Sequence, residues 1–238
     1  MFEALISFFN IILYKPLFNA LVFLYNYVPG HDFGISIMLL TIIIRVILYP
    51  LSVKAINSQK VLQKLQPKIK EAQKKYKDDK EKQAKEILEI YKTEKINPFS
   101  GLLLAIIQLP ILIALYSVFW NGLNPKELAN LYSFVANPVS ISALFWGVID
   151  LSKPNVYLAL SAGLMQFFQT KMLLPKSGAK AGQEKPGISD IMQKQMVYFF
   201  PILTIIILLG LPSALGLYWT ASGLFSIIQQ YFLLRKKT

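Results

Sequence analysis

Long apolar runs separated by short polar breaks make up most of the chain, and they sort into spans and loops by length. Five runs, 33–53, 99–120, 155–173, 192–209 and 215–234, have the length and hydrophobicity of membrane-crossing helices. At about 1.5 Å of rise per residue, some 20 residues cross a hydrocarbon core of about 30 Å. Residues 1–32 are apolar and aromatic, but Lys15 and Pro16 interrupt them. That pattern predicts an amphipathic helix in the outer interface, with a sixth span as the alternative. Residues 54–98 change character, with thirteen lysines and seven acidic residues. Their apolar positions keep helical spacing: Val61, Leu65, Ile69, Ala72 and Tyr76 form one stripe, and Ala84, Ile87, Leu88 and Tyr91 another. The polar turn Lys77-Asp78-Asp79-Lys80 between them predicts a helical hairpin outside the membrane. The remaining pieces are a proline-containing loop at 121–154, a glycine-containing loop at 174–191, a tight turn at 210–214 and a basic tail at 235–238.

Within the first of the five runs sits Arg45. A guanidinium stays charged, and at the bilayer centre it costs from about 3 kcal/mol on insertion scales to 10 or more in simulations. It needs either a buried counter-ion or a water-lined cavity. No Asp or Glu lies within any of the five runs, which favours the cavity. At 100° per residue, Thr41 and Ser52 point the same way as Arg45. Gln108 in the second run and Gln166 in the third supply amides for neighbouring walls. In the fifth run Tyr218, Ser222, Ser226 and Gln229 fall on one stripe, bordered by Trp219. Other roles exist for several of these residues. Thr41 and Ser222 can bond their own backbone or an adjacent helix, and Tyr218 and Trp219 suit an aromatic belt.

Composition then sets the class. With 54% hydrophobic residues over 238 and a mean hydropathy of +0.46, this is an all-α integral membrane protein. The net charge of +12 is unevenly placed. With five crossings, twenty-one Lys and Arg fall with the hairpin, the 174–191 loop and the C-terminus, against three (Lys15, Lys126, Lys153) on the other side. The positive-inside rule therefore puts the hairpin and C-terminus in the cytoplasm and the N-terminus outside, in a multi-pass protein of the cell (plasma or inner) membrane. The chain has no cysteine and a single histidine, His31, outside the runs, so an intramembrane protease or acyltransferase has no catalytic pair to use. No cofactor is called for. An anion transporter is the stronger competitor, since a midspan arginine suits anion binding, but five spans give no inverted repeat. The lysines alternate with acids and lack an aromatic stacking pattern, which argues against nucleic-acid binding as the main role.

Five separated motifs carry a resemblance. Ile44-Arg45-Val46-Ile47-Leu48-Tyr49-Pro50-Leu51, Leu65-Gln66-Pro67-Lys68-Ile69, Tyr91-Lys92-Thr93-Glu94-Lys95-Ile96-Asn97-Pro98, Gln108-Leu109-Pro110-Ile111, and Leu217-Tyr218-Trp219 with Ser222 and Ile227-Ile228-Gln229-Gln230 resemble the YidC/Oxa/Albino family in order and spacing. The resemblance covers residues 15–235 and is to the short form without a large extracytoplasmic domain. It implies five transmembrane helices enclosing a hydrophilic groove, closed on the outside, and a protein that inserts and helps fold other membrane proteins without ATP hydrolysis. Arg45 occupies the place of the groove arginine that receives the polar flank of a client. The partners implied are nascent membrane proteins, ribosome–nascent chain complexes and anionic phospholipids, with the Sec translocon and the signal recognition particle receptor as further candidates. The short basic tail puts tail-mediated ribosome binding in question.

Overall fold

The computed structural model describes residues 2–94, 100–121, 124–173 and 195–235. The expected loop at 174–191 and the last three residues of the tail lie outside that set, as does part of the Tyr91–Pro98 motif. Nearly every described element is helical. Helix α1 (Phe2–Phe9) passes through one π-helical stretch (Asn10–Tyr14) into α2 (Lys15–Tyr27). Ile6–Tyr27 is the one unbent helix among the described residues that is long and apolar enough to cross a membrane.

Asp32 starts α3 (Phe33–Ile47) by accepting from the Ile35 N–H at 2.9 Å, an N-cap that satisfies one of the orphan donors of the first turn. The run expected as one span over 33–53 is broken. At Leu48 the axis turns by 64° into α4 (Tyr49–Lys75). Pro50 is the physical reason: it has no N–H to donate to Val46, and its ring crowds that carbonyl. Helix α4 then runs on past Pro67, turns, and is followed by α5 (Lys80–Thr93), capped by Asp79. The two pack as a hairpin, tied by Gln83 to the Gln73 carbonyl at 2.9 Å and by the Lys68–Glu94 ion pair. Leu65, Ile69 and Ala72 are buried as their stripe requires. Leu88 and Ala84 are corrections to the second stripe: Leu88 is 55% exposed and Ala84 is exposed as well, and Ile90 is half-buried alongside Ile87 and Tyr91.

The helices α6 (Ser100–Asn121), α7 (Val156–Met172), α8 (Phe200–Leu208, preceded by a π-helical turn Gln195–Phe199) and α9 (Ser213–Arg235) complete the bundle. Helix α9 is central, packed against α3 and α7. Small residues allow it: a Cβ on Gly223 would meet the Met165 side chain at 2.7 Å and one on Gly216 would meet Leu158 at 3.2 Å, while between α7 and α8 one on Gly163 would meet Ile205 at 2.4 Å. Between α6 and α7 the chain forms a 3-10 turn (Pro125–Asn130) and a two-stranded antiparallel hairpin, β1 (Leu144–Phe145) and β2 (Ile149–Asp150). This loop closes one end of the bundle. The Leu151 and Lys153 carbonyls accept from the Ala214 and Ser213 N–H groups, supplying partners for the N-terminus of α9.

Candidate functional site

The buried side chains divide along the bundle. Phe18, Phe33, Ile37, Leu40, Leu115, Phe119, Leu151, Leu208 and Leu215 are all but inaccessible, and every one lies toward the end where α3 and α9 begin and α6 and α8 finish. Toward the opposite end of the same helices the interior becomes polar. Arg45, in the last turn of α3, reaches across to α9, where its Nε donates to Ser222 Oγ at 2.7 Å and its Nη2 donates to the same oxygen. Gln108 on α6 donates from Nε2 to the Tyr218 hydroxyl, one turn from Ser222 on α9. Gln229, also on α9, donates to Ser52 Oγ at 2.6 Å, and Ser226 donates to the Ser222 carbonyl. Four helices thus meet around one guanidinium through neutral groups.

The electrostatics follow from that list. A guanidinium has five N–H donors. Two are directed at Ser222, and among the described residues no carboxylate lies in ion-pair range of Arg45. Three N–H groups of a half-buried cation are left for water or an incoming acceptor. The structure therefore has a charge held by a neutral hydroxyl, the alternative to the buried ion pair.

The expected residues are placed as follows. Arg45, Ser222, Gln108 and Tyr218 come together, and Trp219, the next residue on α9, is half-buried and packs against the apolar core. Ser52 joins them, but not by sharing a helical face with Arg45, because the bend at Leu48 intervenes. Thr41 is 1% exposed and its hydroxyl is taken by the Ile37 carbonyl at 2.7 Å, so it contributes packing rather than a free polar group. Gln166 on α7 points its Oε1 into the interior with no partner among the described residues, as does Gln230 on α9. The hairpin residues Val61, Leu65, Ile69, Ile87 and Tyr91 lie apart from this set, on α4 and α5.

Two features were not read from the sequence. Lys60 and Gln63, at the root of the hairpin, donate to the carbonyls of Leu233 and Leu173 at the C-terminal ends of α9 and α7. Polar residues on an exposed-looking helix gave no sign of this, since the acceptors are backbone atoms more than a hundred residues away. At the other end Asn19 on α2, 2% exposed, donates to the Lys15 and Asn130 carbonyls and accepts from the Tyr132 N–H at 2.6 Å. Tyr14 with Glu127, Asn26 with the Ala136 carbonyl, and Tyr25 with the Ser142 N–H continue this ladder along α2. In the same loop Asp150 accepts from Ser152 and pairs with Lys153, which together hold its carboxyl below the usual carboxylate range.

The profile of the family described as 60Kd inner membrane protein matches residues 23–238. The membrane protein insertase YidC of Fusobacterium nucleatum is 36% identical over 227 residues, covering 94% of this chain and 98% of that protein. The proteins of the same name from Geobacter metallireducens and Lawsonia intracellularis are 33% and 34% identical over 92% and 94% of this chain. The chain spans 36% and 39% of their respective lengths. It belongs to the YidC/Oxa1 family of non-catalytic, multi-pass helical membrane insertases.

Proposed function

We propose that this chain receives the hydrophilic flank of a client membrane protein in a water-filled groove around Arg45 and releases the client's apolar helix sideways into lipid. The observation that carries the reading is the guanidinium with three N–H groups uncommitted to the described protein, next to the neutral groups of Ser222, Gln108, Tyr218, Ser52 and Gln229. A cation so placed is tolerable only with water around it. That water shortens the apolar path for a polar segment, and the client helix then gains about 0.8 kcal/mol per CH₂ on entering lipid. The packed apolar half of the bundle closes the groove on the outside.

The groove opens toward the cytoplasm, on the side of the α4–α5 hairpin, whose lysines suit anionic headgroups or a ribosome–nascent chain complex. The Sec translocon and the signal recognition particle receptor remain candidate partners by family alone. Helices α1 and α2 lie in the outer interface rather than across the bilayer. Although Ile6–Tyr27 has the length to span, the irregular loop 127–142 is hydrogen-bonded along α2 from Tyr14 to Asn26. Twelve residues of helix are about 18 Å, and irregular backbone is not tolerated in hydrocarbon over such a depth.

The test is photo-crosslinking from a benzophenone amino acid at Trp219 to a ribosome-stalled nascent chain with one apolar span and a short acidic tail. The expected adduct appears only once the apolar span has emerged. No adduct at any chain length, with protein folded and ribosomes bound, would point to a small-anion pathway and to chloride flux as the next assay.

A further inference from the structure

The β1–β2 hairpin presents an anomaly. Among the described large apolar residues, the six most exposed are Tyr27, Phe134, Val139, Trp146, Val148 and Tyr157, all at the end of the bundle where this hairpin sits. Two of them are held there against backbone preference. Val148 N–H donates to the Phe145 carbonyl and closes a turn whose central residues, Trp146 and Gly147, have φ of +51° and +69°. Glycine adopts that region freely, whereas a tryptophan pays for it. Val139 has φ +66° at the centre of a three-residue turn closed from Ser140 N–H to the Pro138 carbonyl, a strained place for a β-branched residue. Trp146 and Val148 are nonetheless 73% and 82% exposed. Trp146 stacks on Phe145 with ring centroids 4.8 Å apart, but that contact leaves it and its neighbours outward-facing, and packing within the chain does not explain why the strained side chains stay exposed.

The turn of the same hairpin is clamped to α3. Asp32 accepts from the Ile35 N–H with one carboxylate oxygen and from the Trp146 N–H with the other, the latter at 2.5 Å. Gly34 lies so close to Phe145 that a Cβ would sit 2.2 Å from the ring. Arg45 is thirteen residues beyond Asp32, about 20 Å along α3 at 1.5 Å per residue. From these observations we infer that the hairpin is a depth anchor: Trp146 and Val148 seat in the headgroup interface of the outer leaflet, and through Asp32 and Gly34 they fix the height of α3 and of Arg45. The occupant is lipid, because an exposed tryptophan with an apolar partner at the tip of a membrane protein's loop is what the interface takes up. Arg45 is then held about 20 Å below the outer boundary of a core about 30 Å thick, in its inner half. The inference rests on the outer placement of the loop proposed above.

The absence of native cysteine allows single-site labelling. Val148→Cys carrying the fluorophore NBD is reconstituted in phosphatidylethanolamine–phosphatidylglycerol vesicles. Lipids with a nitroxide near the headgroup should quench it more than lipids with a deep nitroxide, and both more than an aqueous nickel chelate. Quenching by the chelate alone would overturn the anchor, and a label protected only when a nascent client is added would make the tip a client contact instead. Asp32→Asn tests the coupling, since its Oδ1 still caps Ile35 but its amide cannot accept from Trp146. A second label at Ile47, exposed at the inner end of α3, should then shift in depth by on the order of 2 Å, because hydrophobic mismatch costs little per ångström. An unchanged Ile47 depth would refute the coupling. Client insertion measured in the same vesicles keeps the two readings separate: normal insertion with a water-exposed tip sinks only the anchor, and a lipid-seated tip without insertion sinks only the insertase mechanism.

Discussion

Arg45→Ala removes the one charge of the polar set, and its consequence can be worked from Coulomb's law. A client carboxylate that approaches the three free N–H groups comes within about 6 Å of the charge centre, where 332/(εr) gives about 0.7 kcal/mol at ε of 80 and about 2.8 kcal/mol at ε of 20. A water-filled but confined site lies between these values. The loss is therefore about three-fold to a hundred-fold per acidic residue in the client's translocated tail. The perturbation should be client-specific. Insertion of a single-span client with two acidic residues in its tail should fall steeply, while the same client with a neutral tail loses little, because the cavity and its water remain. Arg45→Lys should retain most of the acidic-client activity, since it keeps the charge and forfeits the two-pronged contact with Ser222. The assay is protease protection of the tail in proteoliposomes, with matched amounts of folded protein. Equal losses for acidic and neutral tails would mean that Arg45 holds the helices together and does not meet the client.

The packing makes two further predictions. Gly163→Ala puts a methyl 2.4 Å from Ile205 and 3.1 Å from the Pro201 carbonyl, so it should cost about 1–3 kcal/mol by overpacking, read as a lower unfolding midpoint in detergent. Gly210→Ala, whose Cβ would find nothing nearer than 3.6 Å, should leave that midpoint close to wild type. In the hairpin, Leu65→Ala at a 3% exposed site should destabilise by about 2–5 kcal/mol, and Leu88→Ala at a 55% exposed site by about 0.5 kcal/mol or less. Reversed sensitivities in limited proteolysis of the α4–α5 arm would show that the arm packs through its other face.

How much of this was legible depends on the distance over which each signal acts. Local signals read well: the helical spacing of Leu65, Ile69 and Ala72 marked a buried face, and the polar turn before Asp79 marked the hairpin. The second stripe failed at Leu88 because Ile87 and Leu88 are adjacent apolar residues and periodicity over four positions cannot say which flank packs; Ile90 is half-buried instead. Pro50 was visible, but its effect was not. A proline one residue inside a new helix and one that kinks a single span look alike until the axis turns. Likewise the prolines marked 121–154 as a loop, while the β-hairpin within it depends on an unfavoured left-handed tryptophan that no propensity would choose. Arg45 announced itself by being the one charge in its run. Its partner did not, since Ser222 is 177 positions away and one of several serines on α9.

The length of α3 ties these pieces together. It is bounded by the Asp32 cap at one end and the Leu48 bend at the other, fifteen residues in all. Such a helix covers about 22 Å, short of a hydrocarbon core of about 30 Å. A short helix fixed at its outer end leaves its deficit at the inner end, and the inner end is where Arg45 and the amides lie. Hydrating that region is cheaper than stretching the helix, because the arginine already requires water there and mismatch is relieved by local thinning. The apolar half, by contrast, satisfies its buried polar side chains Asn19 and Ser36 within the protein and packs tightly around them. On the function proposed above, a path open from one side and shut on the other follows from where one helix stops and which residues fill each half, with no moving gate needed to account for it.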